Sequence, residues 1–90
     1  MTQQKIPIRV PHFLLERLDE NVLLYHPGLT KTIQLNQTAA IVWDLCDGQR
    51  STHEIVALLS QLFPDAAAEV MEDVEVTLQR LADEGAVAFK

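Results

Sequence analysis

The segment from Ile33 to Ile55, IQLNQTAAIVWDLCDGQRSTHEI, limits the fold of this chain more than any other. Ile33-Gln34-Leu35 alternates apolar and polar, the pattern of a half-buried strand. Asn36 stands where a helix N-cap is wanted, and Thr38 to Cys46 form a mostly apolar helical run. Asp47-Gly48 ends that helix, since glycine takes a left-handed conformation without steric penalty. Ser51 with Glu54 three residues later is a capping box that starts a second helix. Strand, capped helix, short turn and capped helix make the heart of a winged helix-turn-helix-like module.

The flanking sequence extends this unit. Residues 1–9 read as a flexible lead-in. His12 to Leu18 form a strand with Phe13, Leu15 and the stem of Arg17 on one face, and Asp19-Glu20-Asn21 is turn chemistry. Val22 to Tyr25 make a second strand, closed by His26-Pro27-Gly28, and Lys31 to Leu35 a third. Tight turns require an antiparallel meander, because parallel strands need long crossovers. The second helix spans Thr52 to Phe63, with Ile55, Val56, Leu58, Leu59 and Leu62 at helical spacing, and is broken by Pro64-Asp65. A third runs from Ala66 to Glu84, with Val70, Met71, Val74, Leu78 and Leu81 as its apolar stripe. Gly85 stops it, and Ala86 to Phe89 either pair as a small strand or pack back on the core. The expected class is α+β, a three-stranded antiparallel sheet followed by three helices, with residues 10–90 as one domain.

Composition removes several functions. The net charge is −6, with seven Lys and Arg scattered singly, whereas nucleic-acid binding needs clustered cations to neutralise phosphates. A winged-helix transcription regulator, its second helix in the major groove, is therefore the alternative rather than the leading reading. No run reaches the eighteen or so apolar residues of a membrane span and no signal-peptide layout opens the chain, so the expected compartment is the cytoplasm. His12, His26 and His53 fall on different elements without metal-ligand spacing, and Cys46 sits on an apolar helix face. Ser51 is already explained as a cap, and the glycines are isolated. Neither catalysis nor a cofactor or metal is expected. Trp43 reads as a core anchor and Met71 as core filler. Val76 lies off the stripe and gains interest only if it borders a groove.

What remains is a surface. The third strand leads straight into the first helix, so its outer rim should carry unpaired backbone groups, a template for an added peptide strand. Leu35-Asn36, Thr38-Ala39-Ala40, Trp43-Asp44-Leu45, Asp47-Gly48 and the spaced Thr52, Glu54-Ile55 and Leu58-Leu59 resemble the PqqD family. These are recognition domains that bind the leader segment of a ribosomally made precursor peptide and present it to a modifying enzyme. The resemblance runs from about Val10 to Phe89 and implies a leader lying along the third strand, in the groove beside the third helix. By position it points to Lys31, Thr32, Ile33, Gln34 and Leu35 on the strand, and Val70, Asp73, Val74 and Thr77 on the helix. Backbone groups of residues 31–35 would bond the leader, Ile33, Val70 and Val74 would form an apolar floor, and Lys31 or Asp73 would match its charge. Expected partners are the precursor and an enzyme such as a radical S-adenosylmethionine enzyme or a leader peptidase, with no nucleic acid or membrane. Asn21-Val22 and Pro27-Gly28 stand where members of the pyrroloquinoline quinone pathway carry a tryptophan and an acidic residue, which argues against that pathway.

Overall fold

The computed structural model describes residues 5–19 and 21–90. Strands β2 (Leu14–Leu18), β3 (Asn21–His26) and β4 (Lys31–Leu35) form an antiparallel meander in the order β2-β3-β4. Helices α1 (Gln37–Leu45), α2 (Thr52–Leu62) and α3 (Ala67–Asp83) follow. A second, two-stranded sheet pairs β1 (Pro7–Arg9) with β5 (Val87–Phe89). The expected α+β arrangement of a three-stranded sheet followed by three helices is therefore observed.

The pleat decides which side of the meander is buried. Val22 and Leu24 of β3, paired with Leu35 and Ile33 of β4, all face the helices and are buried. Leu23 and Tyr25 pair with Gln34 and Thr32 on the opposite face, where both β4 residues are exposed. Trp43 meets Phe13 edge to face, with ring centroids 6.1 Å apart, and Phe13 meets His26 at 5.0 Å. The indole thus joins α1 to the segment entering the sheet, as an anchor at that position should.

Local chemistry closes each helix. The Asn36 side chain accepts from the Ala39 N–H at 2.7 Å, and Ser51 with Glu54 makes both bonds of the capping box. Gly85, at φ 79°, completes a Schellman end for α3, with Gly85 N–H donating to Ala82 and Ala86 N–H to Leu81. The end of α1 is built differently from the sequence expectation. Cys46 is its cap, and Arg9 Nη1 reaches the terminal carbonyls of Trp43 at 3.3 Å and Asp44 at 2.6 Å. A cation there suits the negative end of the helix dipole. Gly48, at φ 80°, lies beyond the cap, where its N–H donates to the Pro7 carbonyl and its α-carbon backs onto Ile8.

Three expectations need correcting. Of the lead-in 1–9, residues 1–4 lie outside the described residues, but Pro7 to Arg9 form β1, held by β5 and by the turn after α1. A three-residue strand gives no periodic signal, and its partner lies at the other end of the chain, Pro7 opposite Phe89. Met71 is 53% exposed and Leu62 61% exposed. Both sit beside the apolar stripes of their helices, and the neighbouring Val70 and Leu59 take the inward positions.

The two positive-φ glycines give a graded test. A Cβ on Gly48 would lie 2.8 Å from Ile8 Cδ1, whereas one on Gly85 meets nothing within 4 Å. Gly85→Ala should cost about 1 kcal/mol for the left-handed backbone alone, and Gly48→Ala roughly 2–3 kcal/mol because β1 must also shift. Urea unfolding of both variants checks the order.

Candidate functional site

Strand β4 is an edge: nothing pairs with it opposite β3 among the described residues. Leu18 and Asn21 pair across a two-residue connection, the position that exchanges hydrogen bonds in a short hairpin. Alternation then turns the backbone groups of Asn21, Leu23 and Tyr25 toward β2, and those of Val22, Leu24 and His26 toward β4. Their partners Leu35, Ile33 and Lys31 are consequently bonded to β3. Thr32 and Gln34 aim their N–H and C=O outward, to the open side.

Helix α3 approaches this side of the sheet at both ends of the strand. Near one end of the strand the Lys31 ammonium donates to the Glu84 carbonyl at 2.7 Å, stabilising the C-terminus of α3 and tying it to β4. Beyond the other end opens a cleft of about 300 Å³, lined by Asn36, Thr38 and Ala39 of the strand-to-helix junction and by Glu72, Asp73, Val76, Thr77 and Arg80 of α3. Val76 does border a groove, and with 61% of its surface exposed it is an apolar side chain left bare on a charged helix face. The ion pairs found among the described residues are Arg17–Asp44 and Arg50–Asp47, so Glu72, Asp73 and Arg80 enter the cleft without a charged partner.

The nine residues expected at the site therefore separate. Thr32 and Gln34 lie on the open edge, and Asp73 and Thr77 on the cleft wall. The Lys31 charge is committed to the end of α3. Ile33, Leu35, Val70 and Val74 are at most 4% exposed and belong to the common core, so their side chains form no open floor. A stripe at helical spacing has the same periodicity whether it ends in core or groove. The structure resolves that ambiguity toward core, and Val76 with Ala39 supplies the apolar contact of the cleft instead. Val76, Glu72 and Arg80 are spaced by four on the same side of α3, a signal available in the sequence to a reader who assumes that this side meets a ligand.

The ionisable groups elsewhere have structural work. Asp47 accepts from the N–H of Gln49 at 2.9 Å and of Arg50 at 3.1 Å, and from the Arg50 guanidinium at 2.7 Å. The Gln49 bond above all holds its carboxyl below the usual range. Burial pushes the Cys46 thiol up to about 12, and it donates to the Val42 carbonyl at 3.1 Å. That is the opposite of an activated nucleophile. Among the described residues no three His, Cys, Asp or Glu side chains gather as a metal site, and no helix is long and apolar enough to cross a membrane. Helix α2 contains no Lys or Arg, so the helix-turn-helix reading lacks the cations that phosphates require.

Against known proteins, residues 13–87 match the family described as "Coenzyme PQQ synthesis protein D (PqqD)". The chain belongs to the PqqD family. Among PqqD relatives, the "PqqA binding protein" of Klebsiella pneumoniae (strain 342) is 35% identical over 65 residues, covering 69% of this chain and 67% of that protein. The "PqqA binding protein" of Kluyvera intermedia is 43% identical over 61 residues, covering 68% of this chain and 62% of that one. This PqqD-family chain thus matches about two thirds of the length of either relative. TbiB1, solved in complex with the TbiA(beta) leader peptide, superimposes with a TM-score of 0.71 at 19% identity, covering 89% of this chain and 93% of that one. The heterocyclase TruD gives 0.66 at 20% identity, with 96% of this chain matching 12% of TruD. At such identities the two structures speak for the fold, which in TruD forms one part of a much longer chain.

The thiol gives a signed pH dependence. Below pH 9.0, the ordinary thiol value, Cys46 is protonated folded or unfolded; above it the unfolded chain releases a proton that the folded chain keeps up to about pH 12. Stability from this group is thus full below pH 9 and is lost as pH rises through the folded value. Cys46→Ala should narrow its stability deficit against the parent between pH 9 and 11 in urea titrations, and a constant deficit would show that burial does not shift the thiol.

Proposed function

We propose that this protein is a non-enzymatic peptide chaperone that binds the leader segment of a ribosomally synthesised precursor as an added strand on β4 and presents it to a modifying enzyme. The observation that carries this reading is the outward backbone of Thr32 and Gln34, with the cleft between α3 and the strand-to-helix junction opening beyond the end of the same strand. The printed names of the relatives, PqqA binding proteins, and the leader peptide bound to TbiB1 support it.

Binding follows from the edge. An extended leader satisfies up to four backbone groups, those of Thr32 and Gln34, at roughly 0.5–1.5 kcal/mol each. That is at most about 6 kcal/mol before the peptide is ordered, whereas a micromolar complex requires about 8 kcal/mol. Side-chain contacts must therefore supply the remainder, and the cleft is where they are available. The chaperone then works by proximity: holding the leader close to an enzyme raises the effective concentration of the linked core segment without new contacts to it. A radical S-adenosylmethionine enzyme or a leader peptidase fits as the partner, since either acts on a segment distant from the leader. The second edge, β2, is less suited, because Asp44 of α1 pairs there with Arg17 at 3.5 Å.

The test is a titration of labelled leader segments from short precursor-like reading frames encoded beside the gene, with a random DNA duplex as control. Saturable binding with a Kd on the order of micromolar or below is expected, with no duplex shift. Thr32→Pro and Gln34→Pro should each weaken peptide binding at least about tenfold, since proline removes one outward N–H and is tolerated on an edge. Arg17→Pro on β2 should leave it unchanged. Retained binding in both β4 variants would sink the proposal, and salt-sensitive duplex binding in its place would revive the transcription-regulator reading.

A further inference from the structure

Helix α3 presents to the cleft a row, Glu72, Val76 and Arg80, each four residues from the next. On an α-helix that spacing advances about 6 Å per step along the axis. In an extended chain alternate side chains share one face and advance about 6.6 Å per step. A peptide strand added to β4 that continues past its Leu35 end into the cleft thus brings its alternate side chains past the row nearly in register. The chemistry along the row changes at each step: a carboxylate reinforced by Asp73, a bare aliphatic side chain, and a guanidinium. None of the three charged groups has an ion-pair partner among the described residues. The exposed valine, backed by Ala39 across the cleft, offers an apolar contact that water does not favour.

Resting on the leader-binding reading above, we propose that this row sets the leader's sequence preference: a basic, an apolar and an acidic side chain at alternate positions, basic–x–apolar–x–acidic when read from the Glu72 end to the Arg80 end of the groove. The intervening side chains point to the solvent face beside Thr32 and Gln34 and are free to vary. Charge complementarity at either end also fixes the direction in which the leader enters, because a reversed segment places like charges together.

The experiment is selection from a displayed library of random decapeptides on the full chain, followed by anisotropy titration of the winning peptide. The expected consensus is the alternating basic, apolar and acidic pattern in one chain direction only. Selection on Arg80→Glu should turn the acidic position basic, and on the double variant Glu72→Lys, Asp73→Lys should turn the basic position acidic. Each substitution should weaken the parental peptide about three- to tenfold, with rescue by the matching charge swap in the peptide. These exposed positions leave the core intact, and far-ultraviolet circular dichroism verifies it. Peptides that bind, depend on Thr32 and Gln34, yet show no charge pattern would overturn the inference while leaving leader binding standing. A library that yields nothing, or only binders indifferent to proline at those two positions, would overturn both.

Discussion

The burial of Ile33 and Leu35 in one cluster with Val70 and Val74 is the constraint on which the rest depends. Because the side-chain period of a strand is two, committing residues 33 and 35 to the core places Thr32 and Gln34 on the opposite face. The same alternation governs the backbone: with 31, 33 and 35 bonded to β3, residues 32 and 34 offer their groups to the open side. Packing thus determines both where the edge is and which atoms it presents. Lys31 holds the end of α3 against this arrangement, and the open cleft beyond the strand follows from the departure of α1 at Asn36.

Much of this was legible in the sequence because its signals are local. Asn36, Ser51 with Glu54 and Gly85 act within a few residues, and the structure uses all three as caps. The meander was readable from turn chemistry and the helices from their stripes. Long-range features were not. Arg9 capping α1 and β1 pairing with β5 depend on residues more than thirty positions apart, for which periodicity carries no information. The site was half legible for a related reason. Hydrophobic spacing shows that Val70 and Val74 face inward but not whether anything beyond them is open. Val76, a valine on the polar side of α3, carried the more useful signal.

The division of labour between backbone and side chains also explains the character of the surface. An edge strand binds any extended peptide weakly and invites self-association, a liability that charge near the groove limits. Here α3 supplies that charge, carboxylates together with a single guanidinium on the wall of the cleft.

Amide hydrogen exchange along β4, followed by NMR with and without a saturating leader peptide, reads strand addition at the backbone itself. In the free protein Ile33 and Leu35 should exchange slowly through their bonds to β3, while Thr32 and Gln34 exchange fast. On binding, the amides of Thr32 and Gln34 should become protected by at least about tenfold, with those of β2 unchanged. A saturated complex in which Thr32 and Gln34 still exchange as in the free protein would place the peptide elsewhere and contradict strand addition on β4.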